Sequence, residues 1–407
     1  MALKDNASLA LIPAAYKTSK VYSALPTDGD GDFTFSRTGN ATRVNKAGLI
    51  ETMASNEPRL DYPLLDGVVQ DCPTLLLEPS RTNVIPYSVF DAGVPTGWAV
   101  GFGTGTFTHE LTTFRGQTAI KHTQLTTGRS YLQDSVSLAA STTYTFSMYV
   151  DLENSGNISS SEVIAAISMT GDTGDDEVTF GEIDQDTGRC EFTFTTTVSA
   201  SCNIRLGFGA FSNTSQLNKP IIFSMPQLEA GSYPTSYITT QNNPSGVTRN
   251  ADVCNGAGDS STFNDSEGVL FVETEQFIGG DFQSVYISLS QGTSSTNHLT
   301  IQHRSSGQLR IYAGGFATSN IQFLENIDMA QNLKIAVQYK QNDYKLFVNG
   351  TQYSIYPSGG SQPALTGLNV LQFNINSSTT QNWLGKVKQL MVFNTALSDS
   401  ELEELTS

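Results

Sequence analysis

Between about Ser88 and Asn243 the chain alternates apolar and polar positions in runs of strand length: "TTYTFSMYVDL", "EVIAAISM", "VTFGEID", "RCEFTFTTTV", "NIRLGFGAF" and "PIIFSMPQLEA". A period of two puts every second side chain on one face, so these runs predict half-buried β-strands with no helix between them. Asp186, Thr187 and Gly188 in "IDQDTGRCEF" predict a hairpin turn flanked by Glu182 and Arg189. Strands of this kind bury their apolar faces as two packed antiparallel sheets, a jelly-roll or similar sandwich. A second series, from "GVLFVETEQF" through "NHLTIQHRS", "KIAVQYKQ" and "NVLQFNIN" to "GKVKQLMVFN", predicts a second sandwich over residues 269–407. The closing "LSDSELEELTS" reads as a helix: Ser398 is the N-cap, Glu401 completes a capping box, and Leu402 and Leu405 share a face.

The remaining stretches lack this alternation. Residues 1–87 hold seven prolines and short apolar pieces such as "LALIPAAY" and "CPTLLLEP". Proline removes ladder donors, and these pieces are too few to close a core alone. The segment therefore reads as an irregular attachment and oligomerisation region, ordered by neighbouring chains. One hairpin is expected in it, with Phe33 and Phe35 alternating with polar residues ahead of the turn signals "TGN" and "KAG". Residues 244–268, rich in Asn, Ser, Gly and Asp, read as a linker. The expected organisation is all-β: an irregular region 1–87, a jelly roll 88–243, a linker 244–268 and a sandwich 269–407.

Charge narrows the partners. With 22 basic against 39 acidic residues the 407-residue chain carries a net charge of −17, which repels phosphate backbones and anionic membranes. Neither nucleic acid nor membrane is an expected partner. Charged residues are only 15% of the chain, which disfavours coiled coils and charge-driven disorder. Cys72, Cys190, Cys202 and Cys254 show no C-x-x-C spacing and are expected to be reduced. The N-terminal "MALKDNASLALIPAAYKTSK" reads as neither signal peptide nor anchor, because Asp5 and Asn6 precede a short apolar piece broken by Pro13. The expectation is a product of the cytoplasm that leaves the cell by lysis within a larger particle.

Two strings carry a family likeness. "KIAVQYKQNDYKLFVNGTQ" (Lys334 to Gln352), followed by "GKVKQLMVFNTALSDSELEEL" (Gly385 to Leu405), resembles a laminin-G or concanavalin-like lectin domain. There an aromatic-bearing strand precedes a "VNG" turn, and a final strand leads into a short helix. The early "YKTSKVYSALPTDGDGDFTFSRTGNATRVNKAGLIE" with "CPTLLLEPSRTNVIPYS" resembles the N-terminal region of tailed-bacteriophage fibres and head spikes. The middle segment ending "PQLEAGSYPTSYITT" is similar to the carbohydrate-binding-module-like jelly roll that follows it in those proteins. The resemblance implies a virion structural protein displaying glycan-binding sandwiches, with other copies of itself, in a homotrimer, and capsid or tail proteins as partners.

Candidate chemistry is sparse. Asp28, Asp30 and Asp32 in "DGDGD" begin like a calcium loop, which needs oxygen ligands at alternating positions. Phe33 stands where that loop needs Gly, and Gly39 where it needs Glu, so a solvated turn is the competing reading. Asp172, Asp175 and Asp176 form another acidic loop, read as an exposed turn. A glycanase on a concanavalin-like fold needs two carboxylates flanking the scissile bond. Glu273 and Glu275 in "VETEQF" are the nearest pair and define the enzymatic alternative, a depolymerase, although no Asp lies between them. His109, His122, His298 and His303 have no metal-ligand spacing, and His298 and His303, five apart on one strand, point to opposite faces. No other cofactor is implied. Sugar binding uses flat aromatic faces, which makes Trp98 and Trp383 the glycan-binding candidates beside a packing role. A non-enzymatic protein is the expectation.

Overall fold

A computed structural model describes residues 3–101, 105–155, 158–169, 175–208, 216–241, 243–275, 285–292, 297–304, 308–314, 321–327, 331–353, 364–375 and 382–407. Nearly all the regular structure in them is antiparallel sheet, as the alternation predicts. The strand Gly385–Phe393 is the spine of the larger sandwich. One of its edges pairs with Glu267–Thr274, which pairs in turn with Leu333–Lys340 and then with the hairpin Lys345–Val348 and Thr351–Tyr353. That hairpin turns at Asn349 and Gly350, both with positive φ, as an Asn-Gly turn between twisted strands requires.

The other edge of the spine is covered by the first residues of the chain. Leu9–Leu11 pairs with Leu390 to Val392, and Thr74–Leu77 pairs with Gly385 to Val387 and carries Arg59–Asp61 on its far side. This sheet is apolar on both faces. Leu390 and Val392 join Leu9, Leu11, Leu75, Leu270 and Ile335 in the main core, while Met391 and Phe393 pack beneath Leu402 and Leu405 of the helix Asp399–Thr406. The helix is capped as expected, by Ser398 and Glu401.

The facing sheet runs Ile321–Glu325, Leu309–Gly314, His298–His303, Val285–Ser290, Val370–Gln372. A small sheet extends it through Val253–Asn255 and Phe33–Ser36, with Phe33 and Phe373 ring centroids 5.1 Å apart. Within His298–His303, Leu299 and Ile301 belong to the core. The period of two therefore sends His303 inward with them and His298 to the other face, where it stacks on Tyr312.

The second sandwich packs the sheet Phe107–Phe114, Gln117–Gln124, Pro220–Ala230, Thr143–Val150, Arg189–Thr195 against the sheet Ala99–Val100, Ser130–Leu138, Ala200–Phe208, Val163–Met169, Asp175–Thr179. Their inner faces share a core that includes Leu132, Phe146, Ile167, Ile204 and Phe223. Pro226 sits inside a long strand because the register slips there opposite Met148, and Met225 takes a φ of 54°. A β-bulge is where a strand tolerates proline.

This topology corrects the expected domain plan. Residues 1–87 are not an irregular attachment region ordered by neighbouring chains, because their strands complete the sheets and core of the sandwich assigned to 269–407. Nor is 244–268 a linker: Val247–Arg249 pairs with Arg81–Asn83, and Val253–Asn255 enters the small sheet. The jelly roll is an insertion that leaves the host sandwich through Arg81–Asn83 and returns beside it through Val247–Arg249. The expected hairpin at Asp186 to Gly188 is a tight turn between the two sheets, since Asp175–Thr179 and Arg189–Thr195 belong to different ones. The early hairpin forms one strand later than expected, between Ala41–Val44 and Ile50–Met53 around the "KAG" turn. Asp172 lies outside the described residues. None of the four cysteines forms a disulfide.

Two outcomes are expected. A fragment spanning 84–246 should melt cooperatively by circular dichroism, whereas a fragment starting at 269 should bind a hydrophobic dye and aggregate, because the outer edge of its spine is bare. Folding should also be acid-labile. Burial lowers His109, His298 and His303 to about 4 and His122 well below its ordinary range. The unfolded chain, with histidines near ~6.5, then binds protons that the fold refuses, so stability falls as pH drops from ~6.5 toward ~4. Asp134 and Glu191, both raised by burial, act in the opposite sense but are outnumbered. Each histidine contributes at most ~1.4 kcal/mol per pH unit inside that window, and the half-buried His109 less. Tm should fall steadily between pH 7 and 5, less steeply in His298→Asn; a flat profile would show the histidines to be charged in the fold.

Candidate functional site

The neck between the sandwiches is pinned by a buried ionic cluster. Arg37 Nη1 donates to Asp252 Oδ1 at 3.0 Å, and Arg59 Nη2 donates to Asp252 Oδ2. Arg59 and Arg249 both donate to Glu78 Oε2 at 2.6 Å. Ser236, on the jelly-roll side, donates to the same carboxylate through its backbone N and its hydroxyl, each at 2.7 Å. The three arginine side chains and Asp252 are fully buried, and only Glu78 reaches an open space, with 11% exposure. Burial opposes the Glu78 charge, and Arg249 and Arg59 overcome it and hold the carboxyl below its usual range.

That open space is a cleft of about 970 Å³ between the two sandwiches. Its walls come from both sides of the neck: Tyr62, Asp61, Lys386 and Lys388 from the host sandwich, and Arg115, Tyr149, Arg189 and Tyr233 from the jelly roll and its return. The bulge sets its floor by packing Met225 with Tyr149, Ile50 and Tyr237. Arg115 and Arg189 both lie over the Tyr149 ring, at 5.7 and 5.4 Å from the centroid. Hydrogen bonds to backbone carbonyls close the seam: Ile50 N donates to Arg115 O at 2.9 Å, and the Thr42 hydroxyl donates to Tyr237 O. On the host wall, Lys386 bridges Asp61 at 3.1 Å and Glu275 at 3.3 Å. Burial works against the lysine charge, and these two carboxylates raise its pKa above the ordinary value.

The residues singled out from sequence lie elsewhere, with the exception of Glu275. Both tryptophans are packing residues, which corrects their assignment as glycan platforms. Trp98 is 5% exposed, donates Nε1–H to Tyr87 O at 2.6 Å and meets Phe90 edge-on, while Trp383 is fully buried in the host core. The "DGDGD" carboxylates serve their own turn. Asp32 takes Ser23 N at 3.0 Å and Lys20 at 3.2 Å, and Asp28 accepts from Asp30 N at 3.1 Å. Among the described residues no three carboxylate, histidine or cysteine side chains gather as a metal site. Glu273 accepts from Gln389, and Glu275 is held by Lys386.

One constellation escaped the sequence reading. His109 and His122 face each other across a hairpin, Nε2 to Nδ1 at 2.7 Å, and His122 Nε2 meets Ser130 Oγ at 2.9 Å. Their equal distance from the Arg115–Gly116 turn was the available signal. Ser130 and His122 are fully buried, so the chain of contacts is internal packing rather than a nucleophile open to substrate. Tyr62, Arg115, Tyr149 and Tyr233 carried no local motif, because only the insertion topology brings them together.

A family model described as the concanavalin A-like lectin/glucanases superfamily matches residues 278–403, under a third of the chain. No curated protein matches. Among solved structures, the chain is similar to the Ruminococcus gnavus IT-sialidase CBM40 bound to α2,3-sialyllactose, at 15% identity over 38% of this chain and 94% of that one, with a TM-score of 0.31. The tandem CBM22 domains of Paenibacillus barcinonensis Xyn10C give 11% identity over 79% and 99%, with a TM-score of 0.26. Mouse laminin α1 LG4-5 gives 9% over 65% and 88%, with a TM-score of 0.24.

Removing one member of the neck cluster should leave a buried charge unpaired, at a cost of ~3–5 kcal/mol. Asp252→Ala should lower the denaturant midpoint accordingly, while Asp28→Ala on the exposed turn should leave it within ~0.5 kcal/mol of the parent. Equal effects would place the structural weight elsewhere than the neck.

Proposed function

We propose that this chain is a non-enzymatic glycan-binding protein, displayed on a bacteriophage virion as a head fibre, capsid decoration or tail fibre, and that the cleft between its sandwiches holds the saccharide. The observation that carries the reading is the cleft itself: half-buried Tyr62 and Tyr233 offer ring faces beside carboxylate, guanidinium and ammonium groups at a domain junction. Apolar ring faces pack on the C–H faces of sugars, while fixed polar groups select hydroxyls, and ligand sites favour such junctions. The lectin/glucanase family match over 278–403 supports the glycan class. The N-terminal resemblance to phage fibres supports display on a particle, with homotrimers as the assembly.

The glycanase alternative needs a free acid and a free base or nucleophile. The pair it would use is spoken for, Glu273 by Gln389 and Glu275 by Lys386, which favours binding without cleavage.

A saccharide array probed with the full chain should show binding that Tyr62→Ala and Tyr233→Ala each weaken by about tenfold, with no release of reducing ends. Labelled antibody should decorate intact phage particles, and light scattering should give a trimer mass. Binding unaffected by both substitutions would move the site away from the cleft, and bare particles would overturn the virion assignment.

A further inference from the structure

The cleft holds cationic side chains that have no salt bridge of their own among the described residues, in a chain whose net charge is −17. Most of its carboxylates are already engaged. Asp61 and Glu275 hold Lys386, and Glu78 holds Arg59 and Arg249. Glu182 accepts from Thr179 N at 2.7 Å, and Asp184 accepts from Thr187 N at 2.8 Å, each closing its own turn. Glu191 remains, two residues from Arg189 on the same strand face, where the two charges attract.

Arg115 stands opposite this inventory. Its Nε donates to Gly48 O at 2.9 Å and its Nη1 to Thr187 O at 3.2 Å, both backbone carbonyls, while Nη2 is buried with no hydrogen-bond partner. No carboxylate lies within ion-pair distance of Arg115, Arg189 or Lys388 among the described residues. A buried guanidinium with an unmet donor is costly unless an anion or water completes it. The backbone adds an independent sign. Arg115 holds the first central position of a two-residue turn with Gly116, at φ of 48° and 80°, where Asn, Asp or Gly is the usual occupant. A long cationic side chain is disfavoured at positive φ and persists there only where its surroundings hold it. That turn places its guanidinium against Tyr149 in the cleft.

Resting on the glycan reading above, we infer that the cleft selects acidic saccharides, with the sugar carboxylate received by Arg115 and supported by Arg189 and Lys388 beside the Tyr149 ring. A guanidinium gives a carboxylate charge-assisted hydrogen bonds, which are stronger than those between neutral groups.

The test measures affinity for a panel of uronate- and nonulosonate-containing oligosaccharides and for the same oligosaccharides after carboxyl reduction. The native chain should prefer the acidic forms by about tenfold or more, and that preference should shrink between 50 and 500 mM NaCl. Arg115→Gln and Lys388→Gln should each reduce the preference, Arg115→Lys should restore part of it, and melting curves should confirm folding. Equal affinity for acidic and reduced forms, or an undiminished preference in Arg115→Gln, would overturn the inference while leaving glycan binding intact. Binding to neither form would overturn both.

Discussion

Everything in this molecule hangs on two carboxylates shared among three buried guanidiniums. Asp252 bridges Arg37 and Arg59, and Glu78 bridges Arg59 and Arg249. The five come from four stretches of backbone around the neck, with Arg249 and Asp252 together on the segment that returns to the host sandwich. Apolar contacts could hold these segments together but would tolerate sliding. Charges taken out of water tolerate none, because a shift of one residue leaves an ion without its partner. The cluster thereby fixes where the insertion departs and returns, and with it the spacing of the cleft walls.

Local pattern was legible and long-range pairing was not. The strands of the jelly roll from Thr143–Val150 onward alternate strongly, and the sequence places most of them, although "VTFGEID" is strand only as far as Thr179 and then a 3-10 turn over Phe180–Glu182. The hairpin Phe107–Phe114 and Gln117–Gln124 was missed because it is half exposed and rich in Thr and His, so its period of two lacks apolar contrast. Residues 1–87 misled for a related reason. Leu9–Leu11 and Thr74–Leu77 are continuous apolar runs, which signal burial but not against what. Their partner is the last strand of the chain, far beyond any local window. The "linker" misled because Arg249 and Asp252 look like solvent-loving residues until their counter-charges are known.

The site was less visible still. Tryptophans are the commonest aromatic platforms for sugars, yet here both went to the cores, and the rings that face the cleft are tyrosines. Composition offers no way to separate the two roles. Arg115 could have been noticed, since an arginine ahead of glycine in a two-residue turn departs from ordinary hairpin chemistry, but only after the flanking strands had been recognised. Glu273 and Glu275 were read as one pair from their spacing, whereas a register shift at Thr274 and the contacts of Lys386 and Gln389 give them separate surroundings.

The adjacency of Arg81–Asn83 and Val247–Arg249 also means that the jelly roll enters and leaves the host at a single point. Its two ends are neighbours in one ladder, about 5 Å apart, as antiparallel partners are. Another module whose termini lie side by side would meet the same junction, but it would also have to replace Ser236 on Glu78 and Tyr237 on Thr42. One wall of the cleft would stay constant while the other was replaced. The two walls are in this sense separable along the sequence, one carried by the host sandwich and the other by the insertion.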